Sequence, residues 1–262
     1  MSTSTTLAPA SRRVLGLTRT NTTVLVRNRL NLFYAFVLPL LPLGLLFLGE
    51  RGDVTAGIAN VTLVLMMALV FPVYYNVLSM VVTRRDELVL KRLRTGEARD
   101  AEILLAIAAP GTAITLIVTM LTVPLGAAAG LPLPINPLLV AVGVLLACAA
   151  FAALAVWTAA WTRSAEAAQM TSMPVIVLAM VGLLAPAFPE SVHPWLALTP
   201  GGALDSLVRV AWFGRTTDLG STDTIGFVAT WAEVAPALAV LAAWAVLSMA
   251  LARRSMRWEP RT

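Results

Sequence analysis

Six stretches of this 262-residue chain contain no Asp, Glu, Lys or Arg: Leu32 to Gly49, Val54 to Val82, Ile103 to Leu131, Leu138 to Trp161, Ala167 to Phe188 and Pro236 to Leu251. Their lengths bracket the ~20 residues that a helix needs to cross the hydrocarbon core of a bilayer. Backbone amides in lipid must pair within their own segment, so runs of this length fold as helices, whereas barrel strands would alternate at period two. With 58% hydrophobic and 13% charged residues, against roughly 25% charged in a soluble domain, the chain carries more apolar surface than one soluble core can hide. The expected fold is an all-α polytopic membrane protein with six transmembrane helices. Pro39, Pro42, Pro72, Pro110, Pro124 and Pro174 lie inside the runs and should kink several of them.

The basic residues set an orientation. Arg12, Arg13, Arg19, Arg27 and Arg29 precede the first span. Arg84, Arg85, Lys91, Arg92, Arg94 and Arg99 lie between the second and third, Arg163 follows the fourth, and Arg253, Arg254, Arg257 and Arg261 follow the sixth. The opposite side holds only Arg51, Arg209 and Arg215. Cytoplasmic flanks collect Lys and Arg, so both ends are expected in the cytoplasm. The formal net charge of +5 is then a topology signal, with the lipid bilayer rather than nucleic acid as the partner. Ser11-Arg12-Arg13 resembles a twin-arginine leader, but the apolar run begins only at Leu30 and no small-x-small cleavage site follows it. Arg12 to Asn31 reads better as an amphipathic helix in the interface, with Val14, Leu15, Leu17, Val24, Leu25 and Leu30 toward lipid and arginines at the headgroups.

The expected organisation is residues 1–31 as a tail and interfacial helix, 32–252 as one six-span domain, and 253–262 as a second cytoplasmic tail. Two segments outside the spans carry structure. Between the second and third spans, 84–101 reads as a mixed-charge amphipathic helix, with Val89, Leu90 and Leu93 on one side and Gly96 as a stop. The acids Asp86, Glu87, Glu97, Asp100 and Glu102 nearly balance the bases, which favours a protein partner over a purely lipid-binding patch. The external segment 189–231 contains Leu204, Leu207, Val208, Ala211 and Trp212 at helical spacing, with Asp205 and Arg209 paired on the other face. It is expected to form a short helix after the turn Thr199-Pro200-Gly201-Gly202, resting on or dipping into the outer leaflet.

Chemistry is bounded by what the sequence lacks. The single cysteine, Cys148, excludes an intrachain disulfide framework or thiolate metal site, and the single histidine, His193, sits in an outer loop without a nucleophile elbow. A phosphate-binding loop needs Lys behind glycines; the only lysine, Lys91, follows Glu87-Leu88-Val89-Leu90. The chain is therefore expected to be no enzyme by itself and to hold no cofactor. An ion-coupled carrier usually keeps an ionisable group near the midplane. Here the deep polar residues are neutral (Asn76, Ser79, Thr112, Thr115, Thr119, Thr158), and Glu166 and Glu233 lie at span edges.

Together these parts resemble the permease subunit of a type 2 ABC exporter of the drug, antibiotic or lipid-like substrate class. Arg85-Asp86-Glu87-Leu88-Val89-Leu90-Lys91-Arg92-Leu93-Arg94-Thr95 is similar to that family's R-E-x-G-x-L-x-x-L-R-x-T/S stretch, and Leu198-Thr199-Pro200 followed by Arg209 is similar to its L-x-P segment. Leu88 stands where glycine is common, and Gly96-Glu97 replace a proline region. The resemblance implies a pair of permeases, identical or paralogous, on two copies of a separate ABC ATPase that binds ATP and Mg. It implies ATPase coupling through Arg85, Glu87, Leu90, Lys91, Leu93 and Arg94, and outward passage of an amphipathic cargo near Phe71, Tyr74, Tyr75, Asn76 and Ser79. The Ala and Arg bias with one lysine points to a GC-rich bacterial genome, hence the bacterial cytoplasmic membrane. An ion-coupled carrier working alone, or a membrane scaffold or sensor partner, remain as alternatives.

Overall fold

In the computed structural model, residues 10–27, 29, 33–88, 99–164 and 166–255 are described. They form helices α1 (Ala10–Arg27) and α2 (Phe33–Leu45), then α3 (Val54–Asp86), α4 (Asp100–Ala128), α5 (Pro137–Trp161) and α6 (Ala167–Ala187). Two short helices follow, α7 (His193–Ala197) and α8 (Pro200–Leu207), before α9 (Phe227–Ser255). Among the described residues there is one isolated β-bridge, Arg215 to Thr224, and no named strand. The protein is an all-α polytopic membrane protein.

Five helices, α3, α4, α5, α6 and α9, are long and apolar enough to cross a membrane; α2, from the first apolar run, is shorter. Its neighbours show that the run nevertheless traverses the bundle. Before it, Asn21 of α1 donates to the carbonyl of Ala106 near the start of α4. After it, Gly52 N–H donates to the carbonyl of Ala129 at 3.3 Å, just past the end of α4. Asn21 and Gly52 thus stand at opposite ends of α4, with α2 between them in the chain. We term these the basic end, which holds Arg84, Arg85 and Arg163, and the far end. Among the described residues, α9 starts beside the start of α5, where Asn136 Nδ2 donates to Thr230 Oγ1 at 3.0 Å, and runs back to the basic end, the side on which α1 lies.

Two prolines explain how the central helices meet. Pro72 has no N–H, so the carbonyl of Ala68, four residues earlier, loses its helical donor. Thr115 Oγ1 of α4 donates to that carbonyl at 2.7 Å, and α3 widens into a π-helix over Leu69–Tyr75. Close approach there requires Gly111, where a Cβ would overlap the Pro72 carbonyl. Pro110 orphans the carbonyl of Ala106 in the same way, and this is the group that Asn21 caps from α1. Each helix-breaking residue has become a crosslink.

The region between α6 and α9 departs from expectation. Leu204, Leu207, Val208, Ala211 and Trp212 are each at most 1% exposed, packed inside the bundle against α3, α5, α6 and α9 rather than against lipid. The helix begins at Pro200, capped by Thr199 Oγ1 accepting from Gly202 N–H at 3.0 Å, and ends in a π-turn over Val208–Trp212. Its entry is possible because Gly182, Gly201 and Gly202 face backbone atoms of neighbouring segments that any Cβ would overlap, and Gly143 of α5 receives Leu207. Ile135 and Asn136 N–H donate to the carbonyls of Trp212 and Ala211, and Trp212 Nε1 to that of Pro132. α9 also starts at Phe227, nine residues before the charge-free run. Glu233 does not stop it because its carboxylate points outward and accepts from Thr217 N–H (2.9 Å) and Oγ1 (2.6 Å).

Candidate functional site

The basic end of α3 is where the sequence reading placed coupling, and its geometry is built from hydrogen bonds to helix ends. Arg85 is 2% exposed. Its guanidinium donates to the carbonyls of Ala159 (3.0 Å), Thr162 (2.7 Å) and Arg163 (3.2 Å), and lies 3.5 Å from Asp86 Oδ1. These carbonyls are the unsatisfied acceptors at the C-terminus of α5, where a cation also complements the helix dipole. Arg85 therefore fastens α3 to α5 and has no free surface for a partner, which corrects its expected place in a docking face. Its neighbour Arg84 donates to Asn21 Oδ1, so the Asn21 amide joins α1, α3 and α4 at one point.

Beyond Asp86 the chain turns. Glu87 N–H donates to Thr83 O at 2.9 Å and Leu88 N–H to Arg85 O at 3.1 Å, and Leu88 has φ 60°. This left-handed conformation closes a helix C-terminus at about 1–2 kcal/mol for a residue with a side chain. The conformation accounts for a glycine at this position in the resembled motif. Arg84 to Asp86 complete α3 and Asp100 opens α4, so the ends of the expected 84–101 helix belong to the spans. Glu87 is exposed; Leu90, Lys91, Leu93 and Arg94 lie outside the described residues.

The expected pathway residues separate. Phe71, Tyr75 and Ser79 recur at i, i+4 and i+8 and are half-buried. Asn76 follows the π-helix, and its Nδ2 is buried with no hydrogen-bond partner among the described residues. Tyr74 is fully buried and its hydroxyl donates to Thr158 Oγ1 of α5 at 3.1 Å. That contact corrects the pathway reading for Tyr74, which packs within the chain instead of facing a passage beside it. Nearer the far end, the expected Asp205–Arg209 pair gains a tie to α3 that was not foreseen. Thr62 of α3 donates to Asp205 at 3.3 Å, and Asp205 pairs with Arg209 at 3.7 Å, both acidic and basic side chains being less than a fifth exposed.

This arrangement is an unbroken helix with a fastened basic end, a turn into a charged segment and a polar tie near its other end. A comparison with known families matches residues 9–198 to the ABC-2 type transporter model. The chain belongs to the ABC-2 type transporter family. The matched domain is the transmembrane component of such a transporter, and membership implies pairing with an ABC ATPase subunit. No curated protein matches the chain significantly. The family match stops at Leu198, shortly before α8, which carries Asp205, and the π-turn after it, which carries Arg209.

Sequence reasoning missed Asn21, Thr115 and Thr62 as structural ties. For the first two a signal existed: a mid-span proline always strips the carbonyl four residues back, and in lipid a donor must be found for it. Thr62 had none, because its partner lies 143 residues away.

Proposed function

We propose that this ABC-2 transporter chain is the permease half of an ATP-driven exporter in the bacterial cytoplasmic membrane. It works as a pair of permeases, identical or paralogous, with two copies of a separate ATPase subunit that bind ATP and Mg. The cargo is an amphipathic or lipid-like small molecule moving outward, and both tails lie in the cytoplasm. The observation that carries this reading is the continuity of α3. α3 is a helix of 33 residues, about 50 Å long; it carries the Thr62–Asp205 tie in its first half and ends at the turn at Glu87, with Arg85 bolting it to α5 at the basic end. A push on the segment after Glu87 is thereby transmitted along one continuous helix, and the π-helix over Leu69–Tyr75 supplies the point where it can bend. The pathway in this reading passes Phe71, Tyr75, Asn76 and Ser79, which lie half-buried along α3. The excess of arginine at the basic end supports the cytoplasmic assignment.

The test is co-purification of the tagged chain from native membranes, with partners identified by mass spectrometry and ATP hydrolysis assayed. A co-purifying ATPase whose association drops at least tenfold with Glu87→Arg or Leu93→Ala, at unchanged membrane insertion, is the expected result. Recovery of the chain alone without hydrolysis, or full association and transport in both variants, sinks the coupling assignment.

A further inference from the structure

α1 has two unlike faces. Asn21, fully buried, holds one face against α4 through the Ala106 carbonyl. Arg19 and Thr23 lie roughly 160° around the helix from Asn21 at about 100° per residue, and with Thr22 and Arg27 they line an open cavity of about 430 Å³. All four are exposed. The Thr22 and Thr23 hydroxyls each donate back into the helix at 2.9 Å, to the carbonyls of Thr18 and Arg19, so the donors free to face outward belong to the two arginines. α1 contains no acidic residue, and the exposed Arg29 follows it. Leu15, 67% exposed, continues the same side of the helix toward its start.

We infer that this face of α1 seats the headgroup of an anionic phospholipid in the leaflet at the basic end. Arg19 and Arg27 stand two turns apart, about 12 Å along the axis, and guanidinium donors match phosphate oxygens in geometry and charge. Leu15 is the apolar contact that lies beside the acyl chains. The charge complementarity is one-sided, since a protein surface would have to be acidic to fit, whereas anionic lipid is always present where this helix lies. Because the opposite face holds Arg84 and Ala106 through Asn21, an occupied headgroup site steadies the same junction that closes α3. The inference depends on α1 lying at the membrane surface, not on the cargo or the ATPase.

The probe is phosphatidylglycerol, added to the full-length chain in uncharged detergent and followed by native mass spectrometry against phosphatidylcholine. Wild type is expected to bind the anionic lipid at least tenfold more tightly. The double variant Arg19→Gln/Arg27→Gln loses that preference by about fivefold per arginine, Arg19→Lys/Arg27→Lys keeps most of it, and thermal unfolding of all three is alike. Equal binding of the two lipids by wild type overturns the inference, as does an undiminished preference in the Gln variant. So does displacement of the bound lipid by a co-purified ATPase subunit, which would assign the face to protein. The lipid-binding readings are taken on the permease alone, so they succeed or fail independently of export.

Discussion

The two ends of the helical bundle are held by different physics. At the basic end, polar side chains reach helix carbonyls: Arg85 caps α5, and Asn21 links Ala106 to Arg84. At the far end, backbones touch, because Gly182, Gly201 and Gly202 let α8 enter against α6 and α7 with no side chain between. Hydrogen bonds to charged or amide donors can be remade after a small displacement, whereas a steric fit through glycine has one solution. The contrast predicts a bundle that yields at the basic end, where an ATPase partner would act, and stays fixed where α8 plugs the interior. A second contrast lies in burial. In α5, 67% of the apolar window is covered within the chain; in α6 and α9 only 22% is, leaving lipid or a second permease to cover those helices.

The largest expected effect breaks the far end. Gly201→Ala places a Cβ on the Ala179 carbonyl and should cost about 3 kcal/mol or more, read as a fall in thermal midpoint in detergent and protease cleavage between α7 and α9. A wild-type midpoint would show that α8 is not held by this contact. Next comes Arg85→Gln, which withdraws a charged donor from three terminal carbonyls at about 2–3 kcal/mol. Amide exchange should rise at the end of α5 and the start of α6 while the far end stays protected; uniform loosening would dissolve the distinction between the two ends. The smallest change has the opposite sign. Leu88→Gly relieves the left-handed backbone at φ 60° and should stabilise the chain by about 1 kcal/mol, with a higher midpoint; a lower one would mean that the Leu88 side chain contributes more than its strain costs.

Much of this architecture was legible in the residues. The charge-free runs located five long helices and the shorter first one, because a missing charge is a direct statement about solvent. Their ends were less legible: Glu233 lies inside α9 and Arg84 to Asp86 inside α3, since a helix continues into the interface wherever its charges point outward or find partners. The candidate site residues sit in unlike surroundings. Glu87 stands exposed at the turn, but Arg85 is buried on α5 and Tyr74 on Thr158. An arginine in a basic motif looks the same in sequence whether it meets a partner protein or a helix terminus, and an aromatic in a span looks the same on either face.

The sequence by itself determined the all-helical, membrane-spanning class, the sidedness of basic charge and the absence of a phosphate-binding loop, because each follows from composition along one stretch of chain. Only the tertiary structure decided that the Pro200–Leu207 helix is buried rather than lipid-facing, that Thr115 and Asn21 satisfy carbonyls freed by prolines, and that Thr62 meets Asp205. An amphipathic stripe states how much apolar surface must be covered and is silent on what covers it. A freed carbonyl demands a donor without naming one, and that choice is made by how helices distant in sequence pack.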